Sequence, residues 1–188
     1  MHRQHLLDQL GQYVELYPED RDRARAIVEF AESRPDCFLR SCVPGHITAS
    51  AWVVSADHRS FLLTHHKKLN RWLQVGGHVD GEPEVFRAAM REAQEESGMS
   101  GLTMRLLGGR PLPIDVDIHQ IPANATEPAH LHYDIRFLLV APLGGQPRVS
   151  DESHDVSWFP VDQLDKVSDE ESLLRLGRKA RRVLELGV

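Results

Sequence analysis

The stretch Gly76–Met99, GGHVDGEPEVFRAAMREAQEESGM, decides the fold of this chain. It begins with a Gly-Gly turn and continues into a predicted helix that runs from about Pro83 to Ser97. Proline suits the first position of a helix, where its missing N–H is not needed, and Gly98 suits the position just beyond the helix end. The apolar residues that form a core-facing stripe on this helix are Phe86, Ala89, Met90 and Ala93.

Three carboxylates crowd one face of the predicted helix. Glu92, Glu95 and Glu96 are spaced i, i+3 and i+4, and residues at this spacing are neighbours on a helix surface. Because like charges at this spacing repel each other, the arrangement favours a hard cation such as Mg²⁺ or Mn²⁺ held by carboxylate oxygens. Taken alone, the three acids also fit a solvated acidic helix face. The Gly-Gly turn, Arg91 and Gly98 favour the metal site.

The whole segment resembles the Nudix box. That motif has a glycine, five residues, Glu, seven residues, Arg-Glu, an apolar residue, any residue, Glu-Glu, any residue, a glycine and an apolar residue. One position departs, because Pro83 stands where the motif has its first Glu, and we interpret this as a one-residue shift with Glu82 standing in. The matching positions are Gly77, Arg91, Glu92, Ala93, Glu95, Glu96, Gly98 and Met99.

The resemblance implies a role for each residue of the motif. Glu92, Glu95 and Glu96 would bind Mg²⁺ or Mn²⁺ with help from the backbone carbonyl of Gly76. Arg91 would orient a glutamate through a charge-assisted hydrogen bond. Glu92 would activate the attacking water, as in some members of the family.

A further ligand is implied from a later loop, because the family often adds a carboxylate there. Glu152 lies where such a residue is expected, with Asp151 and Asp155 as rivals, and an ordinary loop acid is the equal alternative. The implied catalytic residues are Arg91, Glu92 and Glu95, and the implied metal ligands are Gly76, Glu92, Glu95, Glu96 and Glu152.

The elements around the box predict an α+β fold, a Nudix-type α/β/α sandwich with a mixed β-sheet. Residues 1–36 are predicted to form an N-terminal helical hairpin, broken at Pro18 and packed on a Nudix domain at 37–188. The predicted strands cover residues 47–54, 61–66, 102–107, 115–121, 130–141 and 155–159. A last helix is predicted from Ser168, whose spacing to Glu171 forms a capping box, to about Leu186.

Two of these strands carry His and Asp on one face. Alternate residues of a strand share a face. One face of the first strand therefore carries Asp115, Asp117 and His119, and one face of the next carries His130, His132, Asp134 and Arg136. If the strands pair as a hairpin, their polar faces become continuous. A substrate pocket is the favoured interpretation, and an accessory metal site or a solvent-facing sheet are the alternatives. The predicted substrate-binding residues are Arg71, His78, His119, His130, His132 and Asp134.

The composition of the chain limits the kinds of partner and the cellular compartment that we expect for it. The chain has 188 residues and a net charge of -6, so a broad surface for nucleic acid is not expected. Cys37 and Cys42 are expected to be idle thiols in a reducing compartment. The absence of a signal peptide or an 18-residue apolar run favours a cytoplasmic protein without a membrane segment. A homodimer through the N-terminal helices is left open.

These features predict a Nudix-type pyrophosphohydrolase that cleaves a phosphoanhydride bond with metal-activated water. The expected substrate is a small nucleotide-like diphosphate, either a nucleoside diphosphate linked to another moiety or a nucleoside triphosphate. The alternatives are a non-catalytic Nudix-like nucleotide-binding module and an isopentenyl diphosphate isomerase. The first usually lacks box glutamates or the arginine, and the second calls for a cysteine near the Gly-Gly turn.

Overall fold

A mixed β-sheet flanked by helices forms the centre of the protein. The computed structural model describes residues 2–67, 69–124, 127–150 and 153–186. The strands are β1 (Gly45–Val54), β2 (Ser60–His66), β3 (Arg71–Leu73), β4 (Val75–His78), β5 (Thr103–Met104), β6 (Asp115–Ile121), β7 (His130–Val140) and β8 (Ser153–Pro160). The helices are α1 (Gln4–Leu16), α2 (Arg21–Ser33), α3 (Val85–Ser97), α4 (Leu164–Val167) and α5 (Glu171–Leu186).

The centre of the sheet is the parallel pair β1 and β7. Their register runs without a break from Gly45 opposite Leu131 to Val54 opposite Val140. On one side, β1 pairs antiparallel with β2 and β4, and β2 continues the sheet to β3 and β8. On the other side, β7 pairs antiparallel with β5 and β6. The predicted hairpin between β6 and β7 is therefore present.

The two faces of β1 pack against different helices. Ile47 and Ala49 are fully buried with residues of α1, α2 and α3, among them Val85. Trp52 lies in a second core that includes Leu176 of α5. Helices thus cover both faces of the sheet, and the predicted α/β/α sandwich with a mixed sheet is confirmed.

The N-terminal helices form the predicted hairpin. A 3-10 turn at Pro18–Asp20 separates α1 from α2, because proline cannot continue the preceding helix. Leu6, Leu10 and Ile27 are almost completely buried in the same core as Ile47 and Val116 of the sheet. None of the helices in the described ranges is long and apolar enough to span a membrane.

Several predicted boundaries were wrong. The box helix begins at Val85 rather than Pro83, because Glu82 Oε1 accepts the Glu84 N–H and holds the preceding residues in a turn. The closing helix begins at Glu171, since Ser168 accepts the Glu170 N–H and ends the short helix α4. The predicted strand at 102–107 is reduced to β5, two residues long.

Candidate active site

The predicted Gly-Gly turn is instead part of strand β4, where both glycines pair with β1, and this strand touches the carboxylates of α3. The N–H of Gly76 donates to Glu96 Oε2 at 2.9 Å, and Glu96 is buried. Gly77 lies so close to Glu92 that an added Cβ would stand 2.5 Å from Glu92 Oε2. Only a residue without a side chain fits between the strand and this carboxylate. Strand β4 therefore bonds one of the three predicted metal ligands, Glu96, and lies directly against a second, Glu92.

Arg91 contacts both the carboxylates of α3 and the backbone of β4. Its guanidinium lies 2.7 Å from Glu92 Oε1 and 3.2 Å from Glu95 Oε2, and it donates to the backbone carbonyl of His78 at 2.7 Å. One side chain thus connects the helix to the strand that precedes it. The implied role of Arg91, the orientation of a glutamate by a charge-assisted hydrogen bond, fits this geometry.

Burial and charge compete at Glu92. Its side chain is 14% exposed, whereas that of Glu95 is 60% exposed. Burial raises the pKa of Glu92 and outweighs the opposite influence of the adjacent Arg91. A buried carboxylate of this kind gains from a cation, because the cation compensates for the lost hydration.

A cleft of about 630 Å³ opens in front of the box. All three helix carboxylates line it, so their oxygens face a space large enough for a phosphate group and its neighbours. Its other lining residues include Arg40, Thr48, Ser50, His66, Lys67, Gln74, Gly76, Gly77, His78, Arg91, His119, His132 and Asp134. A larger cavity of about 810 Å³ lies between α5 and the sheet, but no box carboxylate lines it.

A ladder of polar residues crosses three strands beside the cleft. The members of this ladder that line the cleft are Thr48, Ser50, His119, His132 and Asp134. His46, Thr48 and Ser50 of β1 alternate with the apolar residues that face α3. Their partners on β7 are His132, Asp134 and Arg136, and those face His119, Asp117 and Asp115 on β6. Parallel and antiparallel registers thus combine to place residues from three separate segments side by side.

Five histidines gather at one end of this ladder. The rings of His46 and His132 lie 4.8 Å apart, and the His130 ring lies 5.0 Å and 5.2 Å from them. His78 and His119 each lie 5.4 Å from His132. Burial lowers the pKa of His46 to about 4 and that of His132 to about 2. Both imidazoles are therefore neutral near pH 7.

Asp134 lies at the floor of the cleft with its oxygens already engaged. It accepts hydrogen bonds from Thr48 Oγ1 at 3.1 Å, Ser50 Oγ at 2.7 Å and Arg136 Nε at 2.9 Å. The Gln74 amide lies 3.4 Å from both Asp134 and Ser50. Asp134 is thus placed to hold the residues that line the cleft, and its predicted contact with substrate remains a prediction.

A buried ionic network continues from Asp134 to the closing helix. Arg136 is 3% exposed and pairs with Asp115 at 3.2 Å and Asp117 at 3.1 Å. Arg175 of α5 pairs with the same two carboxylates at 2.9 Å and 2.8 Å. The polar face predicted for β6 and β7 is therefore divided: its histidine end lines the cleft, and its Asp-Arg end is covered by α5.

Some predicted site residues lie elsewhere. His130, predicted to bind substrate, is absent from the described cleft lining and lines a separate pocket with Cys42 and Glu127. Arg71 is absent from the described cleft lining and instead pairs with Glu170 at 3.2 Å. Glu82 bonds the backbone near the start of α3, as described above. Asp155, a rival of Glu152, accepts from the Val156 N–H and the Ser157 hydroxyl. Glu152 and Asp151 fall outside the described residues.

Sequence reasoning missed the contribution of β1 to the cleft. His46, Thr48 and Ser50 alternate with Ile47 and Ala49, which is the same period-two signal that identified the polar faces of β6 and β7. His46 was overlooked because the strand was predicted to begin one residue later. Nothing in the sequence alone indicates that β1 would be the neighbour of β7.

The chain belongs to the Nudix family: its sequence matches the NUDIX domain over residues 44–178. Membership confirms the resemblance inferred from the box and the predicted class of enzyme, a Nudix-type pyrophosphohydrolase. No curated protein matches the chain in sequence.

Solved structures share the fold at low sequence identity. A NUDIX family hydrolase from Clostridium perfringens has a TM-score of 0.58 and 22% identity, and the match covers 73% of this chain and 97% of that one. A C. elegans Ap4A hydrolase has a TM-score of 0.58 and 19% identity, over 74% and 97% of the two chains. The E. coli dihydroneopterin triphosphate pyrophosphohydrolase has a TM-score of 0.54 and 14% identity, over 72% and 95%.

Proposed function

We propose that this protein is a Mg²⁺- or Mn²⁺-dependent hydrolase that cleaves a phosphoanhydride bond in a small nucleotide-like substrate. The observation that carries the proposal is the set of three carboxylates on α3, with Glu96 bonded to the Gly76 N–H and Glu92 close against Gly77, at the edge of a cleft of about 630 Å³. Phosphoanhydrides resist hydrolysis because their negative charge repels a nucleophile, so a cationic site beside a cleft is what the reaction needs.

The donor set fits a hard divalent cation. Glu92, Glu95 and Glu96 offer only oxygen atoms, which Mg²⁺ and Mn²⁺ prefer. The buried Glu92 carboxylate has no room for a neighbouring side chain at Gly77 but faces the cleft on its open side. We propose that these three residues and the Gly76 carbonyl hold the ion, which would neutralise substrate phosphate charge and acidify a water molecule.

The residues of the chain divide the remaining work. We propose that Glu92 accepts the proton of the attacking water while Arg91 keeps its carboxylate in place through Oε1. The water oxygen forms a bond to phosphorus, and the bridging P–O bond breaks with its electron pair going to the leaving phosphate oxygen. The two products either both end in a monophosphate, or one of them ends in a diphosphate. Arg40 and Lys67 line the cleft and bring positive charge to the substrate phosphates.

The first experiment is hydrolysis in H₂¹⁸O, followed by mass spectrometry of the products. The names of the structural relatives suggest including Ap4A and a pteridine triphosphate beside nucleoside triphosphates and nucleoside diphosphate sugars. We expect Mg²⁺-dependent cleavage of one substrate class, abolished by EDTA, with ¹⁸O on the product whose phosphorus was attacked. A folded protein that turns over none of these substrates with Mg²⁺ or Mn²⁺ would contradict the proposal.

Substitution of Glu96 tests the metal assignment. Glu96→Gln keeps the volume and still allows the amide oxygen to accept the Gly76 N–H, but it removes the charge. We expect a loss of at least about 100-fold in kcat/KM, comparable to the loss of a strong electrostatic contribution. Glu29→Gln, at an exposed position of α2, is the matched control and should keep wild-type activity. Wild-type turnover by folded Glu96→Gln would refute the ligand assignment.

A further inference from the structure

We propose that His46, His130 and His132, here called the tri-histidine cluster, form a second metal site that binds a divalent cation of the Zn²⁺ type. One ring nitrogen of each residue lies within 4.8 Å of the other two. The site differs from the box site in its donors, which are nitrogen rather than oxygen. It does not depend on the proposed hydrolase activity.

The sheet itself assembles the tri-histidine cluster. His130 and His132 are two residues apart on β7 and therefore project from the same face. His46 stands opposite His132 in the parallel register of β1 and β7. Because these strands are the centre of the sheet, the three imidazoles are carried by a rigid part of the fold, as a precise metal site requires.

The cluster contains buried ring nitrogens without partners. His46 is 2% exposed, and although the backbone of Cys42 interacts with its ring, neither ring nitrogen forms a well-aligned hydrogen bond within the described residues. Nε2 of His132 is also buried and unpartnered there. Buried polar atoms are almost always satisfied, and an unsatisfied one costs about 1–3 kcal/mol. A cation at the centre of the cluster would engage the lone pair of one ring nitrogen of His46 and that of His132 Nε2.

His130 is already oriented as a metal ligand. Its Nδ1 lies 2.9 Å from the backbone carbonyl of Pro128. Because a carbonyl can only accept, Nδ1 carries the proton and Nε2 carries the lone pair. Metal-binding histidines are commonly oriented in this way, with the second ring nitrogen donating to a carbonyl or carboxylate.

The surroundings favour Zn²⁺ over Mg²⁺. Imidazole nitrogen is a good ligand for Zn²⁺, while Mg²⁺ prefers oxygen. Three histidines leave the fourth tetrahedral position for water or a further ligand, and the His78 ring lies 5.0 Å from that of His46. Zn–N bonds of about 2.0–2.1 Å require ring rotations that draw the nitrogens closer together than they lie in this structure. The nearby cation Arg40 is paired with Glu127 at 2.6 Å, so its charge is partly compensated.

Zn²⁺ titration of the full-length protein by calorimetry, with excess Mg²⁺ present to occupy the carboxylates, tests the proposal. We expect one Zn²⁺ per chain and a Zn²⁺-dependent rise in Tm. Cobalt(II) substituted for Zn²⁺ should give the intense visible bands of four-coordinate Co²⁺ rather than the weak bands of an octahedral oxygen site. A wild-type protein that binds no Zn²⁺ would overturn the inference.

Variants separate the two metal sites. His130→Gln and His132→Gln should each weaken Zn²⁺ binding at least 10-fold, and two variants are used so that misfolding of one, judged by circular dichroism, does not decide the result. His154→Gln, at an exposed histidine outside the cluster, is the matched control. Glu96→Gln should leave Zn²⁺ binding intact. Loss of Zn²⁺ binding in Glu96→Gln with retention in folded histidine variants would assign the ion to the carboxylates instead.

Discussion

Asp20, at the start of α2, forms a buried ion pair with Lys179 of the closing helix. Tyr13 of α1 donates to the same carboxylate and accepts from Lys179 at 2.7 Å. Lys179 also reaches Asp115 at 3.0 Å, which joins this pair to the network below the cleft. The N-terminal hairpin and the last helix are thus fastened to each other through charges that are shielded from water.

Removal of Asp20 should destabilise the whole protein. Asp20→Ala leaves Lys179 and the Tyr13 hydroxyl buried without their main partner, and loss of one member of a buried ion pair costs about 3–5 kcal/mol. We expect a loss near the lower limit, because Asp115 still contacts Lys179. Urea unfolding measures it. Asp22→Ala is the matched control, since Asp22 is 90% exposed in its pair with Arg25; equal free energies of unfolding for the two variants would contradict the prediction.

Acid should weaken the fold through Asp117. Burial opposes the charge of this residue, but the hydrogen bond from His119 and the charges of Arg136 and Arg175 prevail and hold its pKa below the usual range. Unfolding restores a pKa of about 3.9 to this carboxyl group. As the pH falls, the unfolded chain is therefore protonated here before the folded chain is. The stabilisation is therefore complete above about pH 4 and decreases as pH falls further.

The pH effect is measured by urea unfolding of wild type and Asp117→Asn between pH 5 and pH 3. Wild type should lose up to about 1.4 kcal/mol more per pH unit than the variant in the acid part of this range. The slope is compared rather than the absolute free energy, because the amide also disturbs the arginines. Parallel curves for the two proteins would show that Asp117 is not the group that titrates.

Arg91 should act on metal affinity and turnover together. Arg91→Lys keeps the positive charge but loses the planar fork that contacts Glu92, Glu95 and the His78 carbonyl. Residues that orient metal ligands typically contribute 10–100-fold to affinity or activity, and we expect a loss of this size in Mn²⁺ affinity, measured by electron paramagnetic resonance, and in kcat/KM. Arg87→Lys, one turn earlier and 63% exposed, should leave both values unchanged.

Gly77→Ala tests the close approach of strand β4 to Glu92. The added methyl group would stand 2.5 Å from Glu92 Oε2, so the carboxylate must move. We expect more than a 10-fold fall in kcat/KM, since catalytic geometry tolerates displacements of only a fraction of an ångström. Gly11→Ala, in α1, is the matched control, because its Cβ would meet none of the described residues within 4 Å and the substitution should stabilise the helix by about 0.5–1 kcal/mol. Unchanged activity in Gly77→Ala would show that a side chain at position 77 does not displace the Glu92 carboxylate from its active position.

Local signals in the sequence were sufficient for the box. Helix periodicity, the spacing of Glu92, Glu95 and Glu96 and the terminal Gly98 all act within a few turns of chain, and Gly98 has the left-handed conformation expected of a helix C-cap. The boundary errors came from side chains, because Glu82 and Ser168 bond backbone N–H groups and delay the helices that follow them.

Long-range partners lay beyond sequence reasoning. The pairing of β6 with β7 was predictable because a short connection joins them, but β1 and β7 are separated by most of the domain. The same holds for Lys179 and its partner Asp20, which lie at opposite ends of the chain. His46, just outside the predicted strand at 47–54, therefore could not be placed beside His130 and His132.

The unbroken parallel register of β1 and β7 has a consequence for errors in folding. A strand displaced by a single residue turns every side chain to the opposite face. His46, Thr48 and Ser50 would then enter the apolar layer, and Ile47 and Ala49 would take their places beside Asp134. A register shift would thus bury polar groups without hydrogen-bond partners and remove the polar lining of the cleft at the same time. A near-native but inactive register is therefore strongly disfavoured in free energy.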